Sequence, residues 1–141
     1  MRTTLRGGCH CGNLKVVFET NTDPSDLQLR ACQCSFCRRH GAVTTSDPAG
    51  RLMIEAGQRE QLLRYRFALG ITDFLVCRAC GVYVAATMDA NGRALGVVNV
   101  NVLDEREPFA RRPEPMQYGA EKVEDREARR ANLWMPVEVR P

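Results

Sequence analysis

The chain has 141 residues, of which 44% are hydrophobic, and a formal net charge of +3. This length and composition predict a globular protein with its own buried core. The mild charge gives no electrostatic footprint for a nucleic acid, so we expect no nucleic-acid partner.

The first residues, Met1 to Arg6, contain no apolar segment of the kind found in secretory signals. The longest nearly apolar run, Val82 to Met88, is too short to span a bilayer. The sequence therefore predicts a soluble, cytoplasmic protein without a membrane partner, and it indicates no particular oligomeric state. In a reducing cytosol, densely spaced cysteines are more often metal ligands than disulfides.

Strand patterns dominate the first two thirds of the chain and predict a mainly β fold. β-Branched and alternating segments favour strands at 14–19, 61–67, 72–76, 82–87 and 95–102. Asn91-Gly92 separates the last two of these segments. Both residues tolerate a positive φ, so the pair predicts a hairpin turn.

The composition changes at Pro108, after which proline and charged residues are frequent. Residues 121–130 predict a short surface helix. Trp134 is the single tryptophan, and we expect it to dock on the body of the protein and hold the tail there. The sequence thus predicts a domain at 1–107 and a C-terminal extension, 108–141, that packs on that domain.

All seven cysteines lie in three clusters, and the odd number argues against a closed disulfide framework. Cys9 and Cys11 are two residues apart, so on an extended chain both thiols point to one face. Cys77 and Cys80 have a spacing typical of zinc knuckles. A glycine follows each pair directly, which leads us to expect that the two pairs share one ion.

The middle cluster consists of Cys32, Cys34 and Cys37 and is followed by arginines rather than glycine. Three thiolates close one face of a tetrahedral ion and leave its fourth position open. We also expect a short helical turn to begin near Ser35. An open position on a thiolate-bound zinc ion suits a ligand that is itself a thiol.

Three alternatives remain open at the level of the sequence. His10 or His40 could complete a closed second site, so that all seven cysteines are structural. A Cys-x-x-Cys pair could serve in redox chemistry, although no βαβ pattern surrounds either pair. Finally, Cys32 and Cys34 could share an ion with the 77–80 pair instead.

With these motifs in view, the chain resembles the glutathione-dependent formaldehyde-activating enzyme family, which includes centromere protein V. The resemblance rests on Gly8-Cys9-His10-Cys11-Gly12, on the segment from Cys32 to Gly41, and on Cys77-Arg78-Ala79-Cys80-Gly81. It implies a fold of small antiparallel sheets pinned by zinc, called a β-tent. It also implies a carbon–sulfur lyase that joins formaldehyde and glutathione as S-hydroxymethylglutathione.

Carried over to this sequence, the resemblance implies two zinc ions per chain. The second site is open and can lose its ion, so it can be empty. The structural zinc ligands are then Cys9, Cys11, Cys77 and Cys80. The catalytic zinc ligands are Cys32, Cys34 and Cys37. A non-catalytic, zinc-stapled binding module is the alternative function, and it predicts no thiol binding.

The family resemblance supplies no proton carrier, and His40, three residues after Cys37, is our candidate. His10 lies between two ligands on a strand and should point away from the metal. Glutathione carries two carboxylates, which arginine binds well. The candidate carboxylate contacts are Arg38, Arg39, Arg64, Arg66 and Arg78.

Overall fold

The computed structural model describes residues 2–140, so Met1 and Pro141, the outer ends of the two predicted domains, lie outside the described residues. The strands are β1 Thr3–Gly8, β2 Leu14–Thr20, β3 Arg30–Cys32, β4 Thr44–Thr45, β5 Arg51–Ala56, β6 Leu62–Tyr65, β7 Asp73–Cys77, β8 Tyr83–Ala90, β9 Arg93–Asn99, β10 Glu114–Met116 and β11 Met135–Arg140. The helices are α1 Ser35–His40 and α2 Val123–Leu133, with 3-10 turns at Pro24–Asp26, Arg59–Gln61 and Val100–Val102.

The predicted mainly β class is confirmed, and the strands form one extended sheet within the described residues. Its order is β1-β2-β5-β11-β9-β4-β3-β10, and a branch in which β7 joins β6 to β8 connects through β8 to β9. Most neighbours are antiparallel, as expected. β11 on β5 and β10 on β3 are parallel, so the sheet is mixed. Parallel pairs need long connections, and both of these pairs join the tail to the body.

Period-two alternation builds the core from β2 and β5. Leu14, Val16 and Phe18 are buried on one face of β2, and their intervening neighbours are more exposed. In the observed register Val16 lies opposite Ile54, which is also buried. A shift of one residue would turn all of these side chains to the other face, so the pattern fixes the register.

The predicted strands at 14–19, 72–76 and 82–87 correspond to β2, β7 and β8. The prediction for 95–102 is wrong at its end, because β9 stops at Asn99 and a 3-10 turn follows. The Asn99 side chain accepts a hydrogen bond of 3.2 Å from the backbone N–H of Asn101, which ends the strand as a local cap. The hairpin turn is confirmed, with φ of 53° at Asn91 and 80° at Gly92.

The segment after residue 119 enters the sheet itself. α2 covers most of the predicted helix, and β11 follows it and lies between β5 and β9. Trp134 is only 7% exposed, which confirms that it docks on the body. Met135, the first residue of β11, is fully buried. Neither α2 nor α1, the helices of residues 2–140, is long and apolar enough to cross a membrane.

Candidate metal centres and the adjoining cleft

The first cysteine group brings together the two pairs that a glycine follows. Cys9 and Cys11 come directly after β1, Cys77 ends β7, and Cys80 lies in the turn before β8. The Sγ atoms are 3.7 Å apart for Cys9 and Cys11, and 3.6 Å apart for Cys11 and Cys77. A zinc ion with four Zn–S bonds of ~2.3 Å needs sulfur–sulfur edges of about 3.8 Å. The four thiols, which all lie within 4.8 Å of one another, therefore fit a tetrahedral metal ion.

The two glycines let the chain turn around this group. Gly12 and Gly81 have φ of 85° and 82°, a region that side-chain-bearing residues rarely adopt. The backbone N–H of Leu14 then donates to Sγ of Cys9 at 3.2 Å. Backbone N–H groups aimed at sulfur stabilise the thiolate form that a metal requires.

The thiols of this group differ in acidity. Burial acts to raise the pKa of Cys80, but the backbone N–H groups of Cys11 and Val82 stabilise its thiolate and lower the pKa to about 6. Burial raises the pKa of Cys77 to about 11. The Cys80 thiolate is therefore present at neutral pH while Cys77 is still protonated, which suits capture of a divalent cation.

The second group is local and contains three thiols. Cys32 ends β3, Cys34 caps the start of α1, and Cys37 lies in the first turn of that helix. Sγ of Cys34 accepts the backbone N–H of Cys37 at 3.3 Å. The thiols lie within 4.8 Å of one another, so these residues could also hold a metal ion. A hydrogen bond with Cys37 lowers the pKa of Cys32 to about 6, and the same bond raises the pKa of Cys37.

Aromatic rings wall one side of the three-thiol group. The Phe36 ring, between Cys34 and Cys37 in sequence, lies 4.7 Å from Phe74 and 5.0 Å from Tyr83, measured between ring centroids. Tyr83 is almost fully buried, and this burial holds the pKa of its hydroxyl well above the usual value. These rings place an apolar surface on one side of the three thiols.

Two cavities adjoin the three-thiol group. The inner cavity has a volume of about 60 Å³, and its lining includes Cys32, Cys37 and Tyr83. The outer cleft has a volume of about 420 Å³, and its lining includes Cys32, Cys34 and the loop at 67–71. The cleft lies within the size range of small-molecule sites, ~300–1,000 Å³. The three thiols thus lie beside space for a ligand.

The predicted arginines lie elsewhere. Arg38 and Arg39 are exposed on α1, and Nη1 of Arg39 donates to the carbonyl of Ser35 at 3.2 Å. Arg64 pairs with Asp73 at 3.4 Å, and Arg66 pairs with the same carboxylate. Within residues 2–140, none of these four side chains lines the inner cavity or the outer cleft.

Both histidines are exposed. The His40 ring contacts the Phe36 ring at 4.5 Å and the Tyr83 ring at 5.6 Å, so it lies against the aromatic wall and outside the lining of both cavities. His10 does not belong to the group of four thiols that its neighbours form.

Sequence reasoning missed a different set of basic residues. Arg30, Arg129 and Arg130 line the inner cavity together with Tyr118. Arg129 and Arg130 fall in a charged stretch that is typical of a solvated helix, so the local composition did not indicate that they line a cavity. A usable signal was Trp134, four residues after Arg130 and thus one helical turn away, and the guanidinium does lie 4.3 Å from its ring.

Comparisons with known proteins identify a structural relative and the family of this chain. A crystal structure of a Rhodobacter sphaeroides protein is 30% identical, covers 79% of this chain and 99% of that one, and superposes with a TM-score of 0.60. The sequence profile of the family described as glutathione-dependent formaldehyde-activating enzyme matches residues 4–119, a span that contains both cysteine groups and most of the sheet. This chain therefore belongs to the glutathione-dependent formaldehyde-activating enzyme family.

Proposed function

We propose that this protein is a zinc-dependent carbon–sulfur lyase that joins the thiol of glutathione to formaldehyde, giving S-hydroxymethylglutathione. The observation that carries the proposal is the difference between the two cysteine groups. One offers four thiols, which saturate a tetrahedral ion, and the other offers three thiols beside a cleft of about 420 Å³. Membership of the family supports the choice of thiol and aldehyde.

We assign Cys9, Cys11, Cys77 and Cys80 to a structural zinc ion. A metal held by these residues ties the end of β1 to the β7–β8 turn, two places separated by 66 residues in sequence. Such a site contributes its binding free energy to folding because the unfolded chain does not hold the four thiols together.

We assign Cys32, Cys34 and Cys37 to the catalytic zinc ion. A zinc ion held by three thiolates supplies an open coordination position and lowers the pKa of a thiol that approaches it. The outer cleft receives the body of the thiol substrate, and the ring of Phe36 packs beside the three cysteines. In the reaction, the sulfur of the deprotonated substrate forms a bond to the aldehyde carbon, and the carbonyl electrons move to oxygen, which then takes a proton.

We propose His40 as the proton carrier because its ring lies against the ring of Tyr83, which lines the inner cavity. Arg38 and Arg39 are proposed contacts for a substrate carboxylate at the exposed face of α1. Arg64 and Arg66 can serve in this way only if a substrate carboxylate displaces Asp73. Arginine forms paired hydrogen bonds with carboxylates, which is the basis of all four assignments.

Metal counting combined with a glutathione titration tests the proposal. We expect two zinc ions per chain, of which Cys34→Ala loses one without unfolding. Exchange NMR with ¹³C-formaldehyde should show faster interconversion of free and thiol-bound aldehyde than the uncatalysed mixture. A fully loaded protein that neither binds glutathione nor speeds this exchange contradicts the proposal and favours a zinc-stapled binding module.

A further inference from the structure

The inner cavity beside the three-thiol group carries an excess of positive charge. Arg30 and Arg130 are buried, with 6% and 8% exposure, and Arg129 is half-buried. All three line this cavity, and the described residues of its lining include no aspartate or glutamate. Buried charges are costly unless they are paired, so the cavity favours an anionic occupant.

Arg130 retains unused hydrogen-bonding capacity at this position. Nη1 donates to the Thr72 hydroxyl at 2.5 Å and contacts the Met88 sulfur at 3.5 Å. Nε is buried and has no hydrogen-bond partner within residues 2–140. Arg30 donates to the Ser46 hydroxyl at 2.5 Å, and neither arginine forms an ion pair with the described residues. A guanidinium has five N–H donors, so several remain for a ligand.

The acidic side chain whose charge acts on Arg130 is already shared. Glu121 accepts hydrogen bonds from Nε of Arg129 at 2.8 Å and from Nε of Arg126 at 3.2 Å. Its single charge therefore serves two arginines and leaves Arg130 unbalanced. Burial, followed by the like charges of Arg129 and Arg126, lowers the pKa of Arg130 to about 10. Arg130 is thus still a cation at neutral pH.

The thiol cluster accounts for only part of this charge. A zinc ion held by these three thiolates would carry a net charge of −1, whereas three arginines line the cavity. The ionisable groups that most affect Arg130 are Arg129, Arg126, Glu121 and Tyr83. One negative charge does not balance Arg30, Arg129 and Arg130, so the cavity retains an excess of positive charge.

The two cavities are adjacent, because Cys32, Thr72, Tyr118 and Arg130 line both. The inner cavity, at about 60 Å³, is several times the ~10–15 Å³ that one water needs, which gives room for a carboxylate. It is too small for a tripeptide, whereas the outer cleft is large enough to hold most of one. A ligand can therefore place its carboxylate in the inner cavity while its thiol lies at the cysteines.

We propose that the inner cavity is a carboxylate subsite in which Arg130 and Arg30 bind a carboxylate group of the thiol substrate. The subsite selects acidic thiols over neutral ones. This inference rests on the proposed function for the thiol, but not on turnover. Arg130 and Trp134 lie beyond residues 4–119, which match the family, so this chain supplies part of the subsite from its own C-terminal segment.

Trp134 provides a direct readout because it is the single tryptophan and its ring lies against Arg130. We suggest titrating the zinc-loaded protein with S-methylglutathione, which keeps both carboxylates but has no free thiol, and with its dimethyl ester. The acid should change the Trp134 fluorescence saturably, and the ester should bind at least tenfold more weakly. Arg130→Gln should weaken binding of the acid at least tenfold, and Arg130→Lys should weaken it less.

Arg93→Gln is the matched control, because it removes one positive charge at the exposed β8–β9 turn and should bind like the wild type. Equal affinity for acid and ester in the wild-type protein overturns the proposal, whether or not the Arg130 variants fold. Sodium acetate that binds as tightly as S-methylglutathione overturns the assignment to a substrate carboxylate. Zinc loss in Arg130→Gln, with unchanged affinity for the acid, assigns Arg130 to the metal site instead.

The experiment separates this inference from the proposed function. S-methylglutathione has no thiol to activate, so its binding requires neither an aldehyde nor catalysis. Selective binding of the acid without any acceleration of formaldehyde exchange supports the subsite and contradicts the proposed reaction. Acceleration of formaldehyde exchange with no preference for the acid supports the proposed reaction and contradicts the subsite.

Discussion

The division of the cysteines into a group of four and a group of three predicts unequal effects of matched Cys→Ala variants on stability. Cys77→Ala and Cys37→Ala each remove one buried thiol, since the two residues are 0% and 5% exposed. The loss of packing should therefore be similar in the two variants. What differs is the length of chain that the metal closes into a loop.

The magnitude follows from loop-closure entropy. A metal held by Cys11 and Cys77 closes a loop of 66 residues. The chain-entropy expression used for crosslinks gives about 4 kcal/mol for a loop of that length and about 2 kcal/mol for the five-residue span from Cys32 to Cys37. Because β3 and α1 already fix much of that short span, its actual contribution should be smaller still. Cys77→Ala should thus cost at least 2 kcal/mol more than Cys37→Ala.

Urea denaturation of both variants and the wild type, each with its zinc content measured, gives these free energies of unfolding. Cys77→Ala should lower the midpoint of thermal unfolding by ~10 °C or more. Cys37→Ala should keep most of the stability and lose thiol binding and activity. Adding a strong chelator should erase the difference between Cys77→Ala and the wild type. Equal losses of stability in the two variants, with equal zinc content, would refute the division of roles.

Three other variants test separate parts of the structure. His40→Gln should lower turnover at least tenfold and change its pH profile while zinc content stays constant; an unchanged profile removes His40 from proton transfer. Asp47→Asn should lower the free energy of unfolding by about 2 kcal/mol at pH 7, because the carboxylate accepts hydrogen bonds from the Thr20 hydroxyl at 2.6 Å and the Ala49 N–H at 3.0 Å. Burial acts to raise the pKa of Asp47, but these hydrogen bonds outweigh it and lower the pKa. The carboxylate therefore contributes its full stabilisation above the ordinary pKa of 3.8 and loses it as the pH falls through the lower pKa of the folded state. The deficit of the variant in urea titrations should narrow over that acid range and not at neutral pH. Gly7→Ala should destabilise strongly in thermal melts, because a Cβ there would lie 1.9 Å from the Val102 carbonyl oxygen, whereas Gly119→Ala meets nothing within 4 Å and should not.

The two cysteine groups were partly predictable, because each cluster has a local spacing typical of metal ligands, whereas the pairing of the first cluster with the third across 66 residues was not fixed by spacing. Cys9 and Cys11 lie two residues apart in the turn after β1, where the sequence predicts an extended chain, and Cys34 caps the helix that carries Cys37. The glycine that directly follows Cys11 and the one that directly follows Cys80 are also visible in the sequence, and both adopt the positive φ that glycine tolerates. These features depend on neighbours within a few residues, which a sequence displays directly.

The cavity lining was not predictable in the same way, because it depends on contacts between distant segments. Arg30 lies in β3 and Arg130 in α2, a hundred residues later, and only the insertion of β11 between β5 and β9 brings α2 to the cavity. The parallel pairing of β11 was equally hidden, because its short run of alternating residues does not specify a partner. Arginines in a charged stretch look like a solvated face until the tertiary contacts are known.

The C-terminal segment contributes to the sheet and, in the proposed subsite, to recognition, and only point variants can separate these two contributions. β11 supplies a strand within the sheet, so removing residues 120–141 would leave one edge of β5 and one edge of β9 unpaired and expose core residues. A truncated protein that fails to bind or react would therefore reveal nothing about the carboxylate subsite. Arg130 lies in α2, which contributes no strand to the sheet. Its replacement changes the charge of the cavity while β11 keeps its pairing, so an effect on acid-thiol selectivity without an equal effect on stability would assign this segment a role in recognition as well as in folding.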